Sequence, residues 1–241
     1  MKLNPPEGVE EIVSRLERAG YEAWCVGGAV RDALLGHPHL DWDFATAATP
    51  KQVMAVFKRT VPVGVEFGTV GVFDSGGTMH EVTTFRRDVN TDGRHAVVEF
   101  GASLDDDLAR RDFTVNAMAL RLDSGTPELV DPYNGLTDLA ARVLRTPLST
   151  EVSFGDDPLR MLRAARFAAT LGFEPSDDVV RAMHDMRGRL EIVSAERIRD
   201  ELSKLLLADD PGPGLWLVAR THLADEFLPE LNMMELEQDP I

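Results

Sequence analysis

Asp41 and Asp43 flank Trp42 in the stretch LDWDFAT, residues 40–46. The stretch reads as a strand, on which residues two apart point to the same face. Both carboxylates would then lie side by side, with Trp42 and Phe44 turned to the opposite, buried face. Like charges so placed repel each other unless something offsets the repulsion. A hard divalent cation such as Mg²⁺ prefers oxygen ligands of this kind, and two such ions about 4 Å apart suit in-line phosphoryl transfer. An exposed strand edge or a turn, with no metal, is the plainer alternative for a D-x-D pair.

Just upstream, VGGAVRD sets Gly27 and Gly28 between a predicted strand and a predicted helix. Small residues there let a phosphate approach the free N–H groups of a helix start, and Arg31 in the first turn adds a charge. The same pair also fits a tight strand-to-helix turn. Farther on, RRDFTVNAMA places Arg110, Arg111 and Asp112 ahead of a helix. Asp112 could be a helix cap with both arginines in solvent; alternatively Arg111 meets a triphosphate while Asp112 or Asn116 senses a ribose hydroxyl. DDPLRMLRAARFAATLGF predicts a helix over 156–171 in which Asp157, Arg160, Arg163 and Arg166 recur at steps of three along one side. An i,i+3 ion pair with surface arginines explains one contact, but not three arginines aligned with Asp157. Glu81 could face the aspartates from a neighbouring strand as a third carboxylate. His37 and His39 fit a polar loop better than a metal site.

The elements that must hold these residues change in character along the chain. Val9, Ile12, Val13 and Leu16 form a helical stripe over 7–19. YEAWCVGG reads as a strand, AVRDALLG as a short helix closed by Gly36, and Thr49-Pro50 as the start of a helix reaching about Lys58. FGTVGVFDSGGTMHEVTTF contains two β-rich runs around Ser75-Gly76-Gly77, a hairpin signal. DVNTDGRH, 88–95, reads as a mobile polar loop and LDDDLARRDFTVNAMAL as helical. A short strand at 143–145 is expected to finish the first unit. Helices then follow at 156–171, 176–187, 194–207 and 213–220, so the outline is an α/β head followed by a helical module. Ser194 reads as the cap of the third of these helices, with Glu196 and Arg197 bracing it.

Composition bounds the function. At 241 residues with 44% hydrophobic and 27% charged residues, the chain suits a globular protein with a well-buried core. No apolar run approaches a membrane span, no targeting segment is visible, and a cytoplasmic protein is expected. Cys25 is the single cysteine, which excludes an internal disulfide and a cysteine-based zinc site; its apolar surroundings predict a buried thiol. The net charge of −16 argues against a generic nucleic-acid coat. Local binding through arginine clusters is compatible with it, because all but four of the 25 basic residues are arginine, the side chain suited to bidentate recognition of phosphates and bases.

In order along the chain, GGAVRD, LDWDFAT, TTFRRD, LARRDFTVNAMA, DPYNGLTDLAARVLRTP, DDPLRMLRAARFAATLGF and ERIRDEL resemble class II tRNA nucleotidyltransferases, the CCA-adding enzymes. The resemblance implies a head of DNA polymerase beta-like nucleotidyltransferase fold over 1–148 and an all-helical neck over 149–241. It implies template-independent addition of CCA to the 3′ end of tRNA from CTP and ATP. Asp41 and Asp43 would hold the catalytic Mg²⁺ ions, Gly28 and Arg31 would contact nucleotide phosphates, and Arg111 with Asp112 would bind triphosphate and ribose. Asp157 and Arg160 would form an amino-acid template, with Arg163 and Arg166 completing the nucleotide site. The chemistry of that template is consistent: an ionised Asp only accepts and an Arg only donates, matching the amine donor and ring-nitrogen acceptor shared by cytosine and adenine. Uracil and guanine present the opposite polarity and would leave both groups unpaired.

Two departures accompany the resemblance. Asp156 stands where the family usually has Glu. The chain stops at LNMMELEQDPI, so the family's body and tail, and any HD domain, are expected to be absent; with ten acidic residues against two basic ones from Asp200 on, weak tRNA binding is expected. Bacterial poly(A) polymerase shares head and neck, but VPVGVEFGTVGVF stands where that family tends to carry a basic Gly-Arg-Arg-Phe-type stretch. CC-adding or A-adding enzymes and an inactive nucleotide-binding remnant are further alternatives, the last opposed by the intact Asp41 and Asp43.

Overall fold

Val9, Ile12, Val13 and Leu16 form the fully buried stripe of α1 (Glu7–Arg18), as their helical spacing dictates. In the computed structural model, which describes residues 7–37, 42–91, 96–121 and 127–233, α1 leads into β1 (Ala23–Val26), α2 (Gly28–Leu34), β2 (Asp43–Thr46) and α3 (Pro50–Val56). β3 (Thr60–Gly64), β4 (Thr69–Phe73), β5 (Met79–Thr84), β6 (Arg86–Thr91) and β7 (Ala96–Phe100) follow, then α4 (Leu104–Ala109), β8 (Ala119–Arg121), β9 (Glu128–Val130) and α5 (Gly135–Ala141). Among the described residues, a seven-stranded sheet has the order β3-β4-β5-β2-β1-β8-β9. β2 and β5 run parallel, and the other neighbours antiparallel.

The register sorts the sheet's two faces. Trp24 pairs with Ala45, and Val26 with both Asp43 and Ala119, so these side chains share one face. Leu104 and Leu108 of α4 cover Trp24, Val26, Ala45 and Ala119 there in one apolar cluster. The other face carries Cys25, Phe44, Val70, Val72 and Val82, all buried. Burial pushes the Cys25 thiol up, so it stays protonated, the buried small hydrophobe that its sequence context predicts.

Two expectations are corrected in these elements. Residues 104–120 are not one helix: α4 stops at Ala109, Phe113 is extended, a 3-10 turn spans Thr114–Asn116, and β8 follows. Phe113, Val115 and Met118 are wholly buried, and burial overrides a pattern that local propensity reads as helical. Residues 88–91, expected in a loop, lie in β6, which pairs with β7. Backbone groups make such a ladder without apolar side chains to announce it. The remainder of that expected loop, 92–95, lies outside the described residues.

The chain divides into two compact units, Met1–Asn90 with Val97–Leu139, and Thr91–Ala96 with Ala140–Ile241. The second contains β10 (Val143–Leu144), α6 (Thr150–Asp156), α7 (Leu159–Leu171), β11 (Glu174–Pro175), α8 (Asp177–Asp185), α9 (Ala195–Leu206), α10 (Gly212–Arg220) and α11 (Glu230–Met233). The strand at 143–144 therefore does not finish the first unit; it pairs in parallel with β11. α7 packs on both α9 and α10. A Cβ at Gly214 of α10 would lie 2.5 Å from the Ala165 carbonyl oxygen, so the crossing requires glycine. No described helix is long and apolar enough to cross a membrane.

The expected helix over 156–171 is also broken. α6 ends at Asp156, Asp157 is extended (φ −145°, ψ 98°), and α7 begins only at Leu159. Pro158 is the physical reason, because its ring disfavours the helical region for the residue before it.

Candidate active site

Asp43 opens β2 at the point where β1, its partner, ends at Val26. Its side chain is exposed while Trp42 and Phe44 are buried, the alternation that the sequence predicts. Asp41 and His39 lie outside the described residues, and His37 is exposed. β1 leaves the sheet through Gly27 (φ 77°), a conformation in which an L side chain is strained. A Cβ at Gly27 would also lie 3.0 Å from Arg111 Nη1 and 3.8 Å from Asp43 Oδ2. At Gly28 it would meet Arg31 Nη2 at 3.4 Å. Three predicted site residues, Asp43, Arg31 and Arg111, thus converge on the glycine pair. With no side chain at either glycine, this turn leaves its backbone open to an anionic group beside two guanidinium groups and a carboxylate.

Hydrogen bonds fix the two arginines differently. Arg31 is almost buried; it donates to Asp32 Oδ1 (Nε, 2.8 Å) and to Asn116 Oδ1 (Nη1, 2.7 Å). Asn116 Nδ2 in turn donates to Asp112 Oδ1 at 3.0 Å, which also accepts the Phe113 N–H. Asp112 is therefore buried at the end of a chain running Arg31–Asn116–Asp112 and is no cap for a following α-helix. Arg111 donates through Nη2 to Asp107 Oδ2 at 3.0 Å, which leaves Nη1 towards Gly27.

Asp107 is a residue that the motif reading missed. It is 1% exposed and pairs with both Arg110 and Arg111. Burial by itself would raise its carboxyl, but the two guanidinium charges and their hydrogen bonds outweigh that, and the group sits below the usual Asp value. The signal was present: Ser103 and Asp106 form a capping box that starts α4, which sets Asp107 three and four residues before the arginines on one helix face.

Glu81 is exposed on β5. β2 and β5 pair Phe44 with Val82, and continuing this parallel register by one residue sets Glu81 beside Asp43 on the same face. No group of three or more His, Cys, Asp or Glu among the described residues is arranged to hold a metal ion. Asp43 and Glu81 nevertheless offer oxygen donors suited to a hard cation.

In the second unit the four template-region residues do not form one helical stripe. Asp157 precedes α7; its Oδ1 accepts the Leu159 N–H at 3.2 Å and its Oδ2 accepts Arg197 Nη2 at 2.9 Å. Arg160 is buried and donates to Ser153 Oγ at 2.9 Å. Arg163 and Arg166 turn to Glu201, at 3.8 and 2.5 Å, and Arg166 lies over the Phe167 ring. Ser194 caps α9 by accepting the Arg197 N–H. Glu201, 4% exposed, is the second residue missed, because only the α7–α9 packing brings it to the arginines.

A family model described as "Poly A polymerase head domain" matches residues 23–145, half of the chain. The chain belongs to the poly A polymerase head-domain family. A second model, "Probable RNA and SrmB- binding site of polymerase A", matches residues 172–234 of this family member. A CCA-adding enzyme of Streptococcus thermophilus (strain CNRZ 1066) is 44% identical to it over 223 residues, covering 92% of this chain and 54% of that protein. Among solved structures, the Bacillus stearothermophilus CCA-adding enzyme in complex with CTP is similar with a TM-score of 0.83 and 42% identity, over 91% of this chain and 53% of that one. A tRNA nucleotidyltransferase complexed with a primer tRNA and an incoming ATP analog is similar with a TM-score of 0.76 and 31% identity, over 90% of this chain and 62% of that one. The chain spans about half the length of the curated relatives that it matches. The fold class expected from the sequence, a DNA polymerase beta-like α/β head followed by a helical region, holds for this family member.

Proposed function

We propose that this chain carries the nucleotidyl-transfer machinery of an enzyme that adds C and A residues from CTP and ATP to the 3′ end of tRNA. The observation that carries the reading is the convergence of Asp43 Oδ2 and Arg111 Nη1 on Gly27. Relatives named CCA-adding enzymes at 42–45% identity support it, as do similar structures described with CTP and with a primer tRNA and an ATP analog. A cytoplasmic location belongs to the same proposal.

Asp41 and Asp43, with Glu81 beside Asp43, would hold Mg²⁺. Bound there, the ion would supply positive charge to the phosphoryl group in flight and favour ionisation of the attacking hydroxyl. Gly28 and the Gly27 turn leave room for the phosphates, and Arg31 and Arg111 hold them as donors. Asp112 and Asn116 receive the ribose hydroxyl. The primer's 3′-oxygen then bonds to the α-phosphorus as the bond to the β-phosphate oxygen breaks and pyrophosphate leaves. Asp157 and Arg160 read the base, and Arg163 and Arg166, braced by Glu201, complete the nucleotide site. On this reading residues 1–148 form the head and residues from 149 the neck, a functional division a few residues beyond the one between the compact units at Leu139.

The test is incubation with tRNA lacking its CCA end and Mg²⁺, with each NTP singly and together. CTP alone is expected to add C, and CTP with ATP to complete CCA. Addition stopping at CC, addition of A only to a CC end, or long A tracts would replace the proposal with a CC-adding enzyme, an A-adding enzyme or a poly(A) polymerase. No incorporation at all would reject it.

The template role has its own consequence. Asp157→Ala removes the acceptor for the exocyclic amine, and Arg160→Ala the donor to the ring nitrogen. A correct hydrogen bond to a desolvated base is worth about 1–3 kcal/mol over a mismatched one. UTP or GTP incorporation relative to CTP should therefore rise by about tenfold or more, with smaller loss of triphosphate affinity. Preserved selectivity with uniformly weakened binding of all four nucleotides would show that these residues do not read bases.

A further inference from the structure

The sheet face that carries Asp43 is covered by α4 over β1, β2 and β8 and open over β5, β4 and β3. Glu81, Gly71 and Val61 are paired across that open half and continue the row that begins at Asp43. A solvent-facing half of an antiparallel sheet ordinarily carries polar side chains. Here Val61, Val63 and Met79, with Phe67 between β3 and β4, are each 40–54% exposed. They adjoin one another: a Cβ at Gly71 would lie 3.0 Å from both Met79 Sδ and Val63 Cγ2, and one at Gly64 would lie 3.7 Å from the Phe67 ring. The result is an apolar shelf, in which Met79 and Val63 close over the buried Gly71, that runs outward from the candidate catalytic carboxylates. Its edge before β3 is basic, while the exposed Glu66 stands beside Phe67. Lys58 and Arg59 are exposed just before β3, and the Arg59 guanidinium lies 4.2 Å over the Phe73 ring.

We propose that this shelf seats the unpaired nucleotides at the 3′ end of the RNA primer. Their bases rest on Met79, Val63 and Phe67, their phosphates face Arg59 and Lys58, and the terminal hydroxyl is delivered at Asp43. The inference rests on the proposed function and names the surface that holds the second substrate. Three interstrand spacings separate Asp43 from Val61, about 14 Å, which accommodates more than one nucleotide. Stacking on apolar and aromatic side chains is tolerant of base identity. That tolerance is what successive additions need, because the primer's last base changes at each step, so a hydrogen-bonding reader would reject one of its own products. Continuity with Asp43 and a basic edge on a chain of net charge −16 favour RNA over a protein partner. Pro62 in the edge strand β3 further disfavours an added strand, since it lacks an N–H for the ladder.

The experiment combines Val63→Thr, which keeps side-chain shape, with Phe67→Ala. Single-nucleotide extension of an RNA primer by CTP is followed, with a thermal melt to verify folding and light scattering to report oligomeric state. The primer KM is expected to rise about tenfold, the scale of one stacking contact, with the CTP KM changed less than twofold. An abasic penultimate primer nucleotide should raise the wild-type KM similarly and add little in the variant. If the double variant melts early, Val61→Thr and Val63→Thr singly replace it. A primer KM within twofold of wild type in a folded, active variant overturns the proposal, and so does a change of oligomeric state in place of a change in primer KM. If the wild-type chain incorporates no nucleotide, the proposed function fails by itself. Fluorescence anisotropy of a labelled single-stranded RNA on wild type and variant then decides the shelf: weaker binding to the variant supports it, and equal binding overturns it.

Discussion

Asp43→Ala is expected to lower nucleotide transfer by about 10³-fold or more while leaving the melting temperature within a degree or two of wild type, as roughly neutral exposed substitutions do. The two halves of this expectation have separate causes. Asp43 is exposed at the first position of β2, so its loss opens no cavity in the core. Its neighbour in the register is Glu81, another carboxylate, and removing one of two adjacent like charges relieves repulsion in the ion-free protein. Transfer depends on that same crowding of negative charge, which an alanine no longer offers to a cation. Asp43→Asn, which keeps shape but not charge, should fall almost as far. Asp41→Ala carries the same expected loss of turnover. Single-turnover rates across a Mg²⁺ titration, with calorimetry of the same samples, check both halves. Unchanged turnover in either alanine variant would remove the metal assignment, whereas a collapse of melting temperature would make Asp43 a structural residue.

Asp107→Ala should behave in the opposite manner, damaging the fold first. Its carboxylate is buried against Arg110 and Arg111, whose side chains are each 19% exposed. Deleting it takes a shared, buried counter-charge from two partly buried guanidinium groups, a change that costs about 3 kcal/mol, at the lower end of the range for broken buried pairs because the arginines retain some solvent. Asp107→Asn keeps an acceptor and should lose less. The same residue makes stability depend on acid. Its folded value lies below the ordinary Asp value, so its contribution is fully present above about pH 4 and is lost as pH falls through the folded value. Wild type should therefore lose stability relative to Asp107→Ala as pH drops below about 4, and urea unfolding at a series of pH values measures the convergence. Parallel pH profiles for the two proteins would show that Asp107 does not titrate as the buried ion pair requires. In folded Asp107→Ala, weaker triphosphate binding is the further expected result, because Arg111 loses the partner that leaves Nη1 towards Gly27.

The sequence by itself determined the local features whose cause lies within a few residues. The alternation around Asp43 placed Trp42 and Phe44 in the core and the carboxylate outside, and Gly27 and Gly28 marked the turn from β1 into α2. The stripe of α1 and the caps at Ser194 and Thr49 were legible for the same reason: helix periodicity and orphaned end groups act over a single turn. The motif series together pointed to the family. Tertiary structure decided which of those motifs meet. Arg111 is far from Gly27 along the chain, and only the folding of α4 over β1 and β2 brings its Nη1 to that turn. Packing also overrode local pattern where the two conflicted: wholly buried Phe113, Val115 and Met118 ended the expected helix after Ala109. The break that detaches Asp157 from the arginine stripe is local instead, because Pro158 restricts the residue before it. Asp107 and Glu201 went unrecognised in the motifs because an acidic residue in a helical sequence is ordinarily solvated. What makes these two exceptional is desolvation beside guanidinium groups, and desolvation is a property of neighbours that only the folded chain supplies.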